Sequence, residues 1–108
     1  MTVKYDINIT ESAQKDLNNI YFYFSNDLLE EETAINIITS LKEAIFSLDD
    51  MPGRYGLVND FVLAKMGYRH INVKNYIVFY LIDEKKKTVV IARVIHERMN
   101  YTKFLTQS

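Results

Sequence analysis

Apolar and polar positions alternate strictly at the start of the chain, with Val3, Tyr5, Ile7 and Ile9 set against Lys4, Asp6 and Asn8. A period of two predicts a half-buried strand over residues 3–9. At Thr10 the period changes. Ala13, Leu17, Ile20 and Phe24 recur at helical spacing and predict a first helix over residues 11–25. Thr10 suits its N-cap, and Glu11 lies where the helix dipole favours a negative charge. Ser25, Asn26 and Asp27 interrupt the pattern. A second helix begins near residues 29–31 and carries Ala34, Ile38, Leu41, Ile45 and Leu48 on one face. Glu30, Glu31 and Glu32 fall in its first turn. Asp49, Asp50, Pro52 and Gly53 end it, because proline lacks an N–H donor and glycine opens a turn. Two amphipathic helices with a short link form an antiparallel hairpin, whose joint apolar stripe must bury on a sheet.

Residues 54–66 are a connection that fits either a short strand or a turn of helix. Strands are predicted near 68–74, 75–82 and 88–96. Lys74 and Asn75 suit a tight turn between the first two, and the run DEKKK makes a longer turn between the last two. The stretch YIVFYLI is apolar at both parities, which marks a central strand covered on both sides. Residues 99–104 fit a short helix or an extended tail. The order is β-α-α-β-β-β. It describes an α+β fold, a helical hairpin packed on a small antiparallel-rich sheet, in one domain spanning residues 1–108.

Composition narrows the chemistry. The chain has no cysteine, which excludes disulfides, thiolate catalysis and cysteine-based zinc sites. With 3 Gly and 1 Pro it has no glycine-rich phosphate loop. No His/Asp/Glu cluster has metal-ligand spacing, so neither metal nor cofactor is expected. No apolar run is long enough for a bilayer and no signal segment opens the chain, so no membrane partner and a cytoplasmic location are expected. The net charge of −1 hides an asymmetry. Residues 1–64 hold 4 basic and 11 acidic side chains, and residues 65–108 hold 9 basic and 3 acidic. Lys85, Lys86 and Lys87 keep a hairpin tip soluble. The remaining cations suggest a basic working surface.

That surface is threaded through the last strands by Arg69, His70, Arg93, His96, Arg98 and Tyr101. Proton transfer at a phosphate without a metal needs a base, an acid and cations around the developing charge. His96 and Tyr101 have the groups for proton transfer, and Arg69, Lys74, Arg93 and Arg98 have the charge. Each also has a structural reading. His96 at a strand end can fix the chain's exit by bonding a backbone carbonyl. Arg93 shares parity with Val89, Ile91 and Ile95, which favours a salt bridge. Arg69 shares parity with Ile71 and Val73 and has the same two readings. Arg98 and Tyr101 lie beyond the last strand and are the stronger functional candidates.

The blocks ESAQKDLNNIYFYF, LKEAIFSLDDMPG, GYRHINVKNYIVFYLID and VVIARVIHERMNY, in this order, resemble the RelE/ParE superfamily of bacterial type II toxin–antitoxin modules, which includes plasmid stabilisation proteins. The resemblance covers almost the whole chain and implies the fold read above. It also implies a cognate antitoxin whose flexible segment wraps the toxin. ParE-like members poison DNA gyrase, whereas RelE-like members cleave mRNA on the ribosome. The VIHERMNY block and the long helical hairpin are similar to the ParE branch. RelE-like nucleases carry a phosphate-stabilising arginine in the central strand, where this chain has Ile77. The resemblance therefore implies a gyrase poison that is not itself an enzyme, with Arg69, Arg93, His96, Arg98 and Tyr101 as target-binding residues. The alternatives are a ribosome-dependent endonuclease using His96, Arg98, Tyr101 and Arg69, and a non-toxic member that only binds antitoxin. The antitoxin is expected in a groove between hairpin and sheet edge, with its basic residues meeting the acidic N-terminal half. Left uncovered, that apolar groove favours self-association, including a homodimer.

Overall fold

The computed structural model describes residues 4–106. Strand β1 (Asp6–Ile9) leads into helix α1 (Glu11–Phe22), and helix α2 (Glu31–Phe46) follows. A short helix α3 (Phe61–Lys65) precedes strands β2 (Arg69–Val73), β3 (Tyr76–Asp83) and β4 (Thr88–His96), and helix α4 (Tyr101–Thr106) comes last. The expected β-α-α-β-β-β order holds, with two small helices added to it. Val3, the first apolar position of the expected strand, lies outside the described residues. Residues 54–66 combine both expected forms, since Leu57 bridges to Arg69 and residues 61–65 are helical.

Local chemistry explains most element ends. The Thr10 hydroxyl accepts from the Ala13 N–H at 3.1 Å and so caps α1. Asp60 caps α3 by accepting from the Leu63 N–H at 2.9 Å. The α-helical part of α1 stops at Phe22, three residues before the expected end at Ser25, and widens into a π turn over Tyr23–Asp27. The chain reverses at Leu29, whose φ of 55° is left-handed. Helix α2 ends in a 3₁₀ turn over Ser47–Asp49, and the left-handed residue after it is Met51 (φ 48°).

The sheet order is β1-β4-β3-β2. Strands β2, β3 and β4 form an antiparallel meander, while β1 runs parallel to β4 with Ile7 opposite Val89. Strand β3 alternates between two cores. Val78 and Tyr80 join Ala13, Leu17, Leu41 and Ile45 of the helical hairpin. Phe79 and the part-buried Ile77 face the other way, toward Val58, Leu63, Ile95 and Leu105. The expectation of a central strand covered on both sides is met.

One irregularity changes the reading of β4. Phe79 pairs with Arg93, but the next residue, Tyr80, pairs with Ile91. Ala92 is left over as a β-bulge, and a bulge shifts which face each later residue meets. The parity expected to unite Val89, Ile91, Arg93 and Ile95 is therefore broken. Val89 and Ile91 lie in the hairpin-side core, whereas Ile95 lies in the opposite one.

Candidate functional site

The residues that sequence reasoning grouped together are divided by the sheet. Arg69 pairs with Tyr80, whose ring is in the hairpin-side core, so it leaves β2 on that face. Its guanidinium donates to the Tyr55 carbonyl at 2.6 Å and the Gly53 carbonyl at 3.3 Å. The buried Tyr80 hydroxyl donates to the neighbouring Pro52 carbonyl at 2.6 Å. Together they pin the turn over residues 52–55 to the sheet. Burial pushes the Tyr80 phenol up to about 12, and the nearby Arg69 and Arg54 charges oppose that rise.

Arg93 is committed to α1. Its Nε and Nη2 donate to the two carboxylate oxygens of Asp16, each at 2.8 Å. The Val94 N–H also donates to Asp16, at 2.9 Å. The hydrogen bond to Asp16 holds the Arg93 guanidinium above its ordinary range. The same guanidinium lies 5.1 Å from the Phe104 ring centroid, which joins α4 to the pair. This is the salt bridge that the sequence favoured. Asp16 was not singled out there, because no local spacing links it to a residue 77 positions away.

His96 ends β4 opposite Tyr76, with the two rings edge-to-face at 5.3 Å. Its Nδ1 accepts from the Arg98 N–H at 3.1 Å, and its carbonyl accepts from the Met99 N–H at 3.0 Å. The ring does fix the chain's exit, but by accepting from an N–H and not by donating to a carbonyl. With Nδ1 as acceptor, the proton of the neutral ring sits on Nε2. The Arg98 side chain is exposed and has no hydrogen-bond or ion-pair partner among the described residues.

Tyr101 belongs to the other face. Its ring stacks on Phe79 at 5.1 Å, and its hydroxyl accepts from the Asp60 N–H at 3.2 Å. Beside it opens a recess of about 210 Å³, lined by Ile77, Phe79, Asn59, His70 and Asn72 among others. His70 Nδ1 lies 3.2 Å from Asn72 Oδ1. Asn59 and Asn72 went unnoticed in the sequence. Asn72 shares strand parity with His70, so the period-two rule was the signal that could have found it.

The geometry leaves Tyr101 and His70 on one face and Arg69 on the other, with Arg69 and Arg93 holding structure together. Among the described residues no arginine lines the recess, and the aliphatic Ile77 forms part of its wall. Among the described residues no group of three His, Cys, Asp or Glu side chains comes together as a metal site. No helix of the described residues is long and apolar enough to cross a membrane.

Comparison with known proteins adds family membership to this geometry. The family described as the ParE toxin of the type II toxin–antitoxin system parDE matches residues 7–101. No curated protein matches the chain. Among solved structures, the chromosomal ParDE toxin–antitoxin system from P. aeruginosa is similar, with a TM-score of 0.71 at 18% identity. That match covers 88% of this chain and 98% of the other. The RelBE2 toxin–antitoxin complex from Mycobacterium tuberculosis matches with a TM-score of 0.66 at 26% identity, covering 89% of this chain and 94% of the other.

Proposed function

Since the chain belongs to the ParE toxin family of type II toxin–antitoxin systems, we propose that it acts in the bacterial cytoplasm by binding DNA gyrase and trapping it on cleaved DNA, and that a cognate antitoxin neutralises it. The observation that carries this reading against RNA cleavage is the dispersal of the cationic side chains. Charge stabilisation of a phosphorane requires donors converging within hydrogen-bond reach of one phosphate. Here Arg93 is held by Asp16, Arg69 is held by two carbonyls on the face away from Tyr101, and the described residues lining the Tyr101 recess include the aliphatic Ile77 and no arginine or lysine.

An antitoxin suits the groove of about 270 Å³ between α1 and the end of β4, where Ile20, Tyr76, His96, Met99 and Phe104 offer an apolar path beside Asp16. This groove lies beside α1 at the ends of the central strands β3 and β4, rather than at the sheet edge that the sequence suggested. A segment that folds on binding must recover its ordering cost there from apolar burial. Both solved relatives named above were determined as toxin–antitoxin systems, which supports a partner of this kind.

With purified gyrase, ATP and plasmid, antitoxin-free protein should accumulate cleaved DNA, while mRNA on programmed ribosomes stays intact. Ribosomal mRNA cut in an A-site codon by the same sample, and abolished in His96→Ala, would establish the nuclease alternative instead.

A further inference from the structure

The turn joining α1 to α2 breaks two rules at a single residue. Leu29 holds left-handed backbone at φ 55°, a conformation that helix ends normally give to glycine or asparagine. Its side chain is also 83% exposed. Glycine would remove both defects. Phe22, Tyr23 and Leu28 stand in solvent beside it in sequence, at 54, 48 and 41% exposure. The chain reaches Leu28 through the π turn, a widening that recurs at functional sites.

Charge around this apolar tip has one sign. Asp27, Glu30, Glu31 and Glu32 are all exposed, and the sequence has no lysine or arginine between Lys15 and Lys42. A second copy of the tip is a poor occupant, because the acidic rims would repel. A partner segment that folds on binding lies in a groove or along a strand edge. A prominent apolar turn instead enters a preformed pocket on a folded protein, as interface anchors do. The acidic rim asks that the pocket be bordered by lysine or arginine. An enzyme that binds DNA carries such a cationic surface to neutralise phosphates.

Building on the gyrase reading above, we propose that the Phe22–Leu29 tip is the element that docks the toxin on gyrase, in an apolar pocket on its cationic DNA-contacting surface. The antitoxin groove between α1 and β4 adjoins the tip at Tyr23, which lies close enough to act on the groove residue Tyr76, so the test changes only Leu28 and Leu29. Leu28→Ser combined with Leu29→Gly tests this, with Phe61→Ser as a control, since Phe61 is 72% exposed on α3, outside the tip. Binding to gyrase, yield of cleaved plasmid, antitoxin affinity and melting temperature are measured for each protein.

The double variant should bind gyrase about tenfold or more weakly and lose cleavage in proportion. Its melting temperature should be unchanged or higher, and its antitoxin affinity unchanged within about twofold. Phe61→Ser should match wild type. Gyrase binding by the double variant equal to wild type overturns the proposal. So does a loss that falls on antitoxin binding instead. Wild-type protein that binds gyrase without trapping DNA refutes the poisoning mechanism but keeps the docking site if the double variant loses that binding. Wild-type protein that does not bind gyrase removes both.

Discussion

Asp16 accepts three hydrogen bonds from β4, two from the Arg93 guanidinium and one from the Val94 N–H. The carboxylate side chain is 12% exposed and the guanidinium 24%. Removing one partner from such a pair leaves the other poorly solvated, so Arg93→Ala should lower unfolding free energy by about 2–3 kcal/mol. Urea denaturation measures it, and a loss below about 0.5 kcal/mol would mean the pair acts like an exposed one. Tyr80 offers a pH test. The phenol titrates near 10.0 in the unfolded chain and about 12 in the fold. A raised folded pKa contributes stability that is complete below pH 10 and lost as pH rises toward 12. Tyr80→Phe should flatten this alkaline decline while costing about 1 kcal/mol at neutral pH through the lost bond to Pro52. An unchanged alkaline limb would contradict the assignment. Neither pairing partner, Asp16 nor the Pro52 carbonyl, was legible in sequence, because each lies far along the chain from the side chain it holds.

At the scale of elements, Thr10 joins two of them. Its hydroxyl oxygen caps α1 by accepting from Ala13, and the hydroxyl donates to the Ile91 carbonyl at 2.8 Å. Thr10→Ala should therefore cost about 1–2 kcal/mol in denaturation, and Thr10→Ser should restore most of it by keeping the oxygen. Equal losses in both variants would assign the effect to the methyl group. The cap was readable in advance, since a change of period from two to helical spacing at a threonine is a local signal. So were both amphipathic helices and the strand apolar at both parities. The bulge at Ala92, the π turn and the parallel pairing of β1 with β4 were not. A bulge depends on how two strands meet, and parallel pairing depends on where the chain returns. The error mattered for function, because carrying Arg93 in register with Val89 and Ile91 placed it on the hairpin-side face, whereas beyond the bulge it pairs with Phe79 and shares the opposite face with Ile95.

Across the whole molecule, the acidic N-terminal half becomes the helical hairpin and the basic C-terminal half becomes the meander. Charge counting found the two halves but credited target binding to the basic one alone. In the fold, two of the five candidate target-binding residues are structural ties, His96 orders the chain after β4, Tyr101 is stacked on Phe79, and Arg98 keeps a guanidinium open to solvent. The acidic hairpin tip meanwhile carries exposed leucines that packing does not require. Family blocks were legible because they follow the two periodicities of the core. The target was not, because it depends on which surface side chains converge.

The most direct measurement is the yield of linear plasmid when purified antitoxin-free protein is incubated with gyrase, ATP and supercoilable DNA. A dose-dependent rise in protein-linked linear DNA, reversed by adding the antitoxin, is the predicted result. Unchanged supercoiling with no linear product, from a sample whose denaturation curve shows it folded, would contradict gyrase as the target.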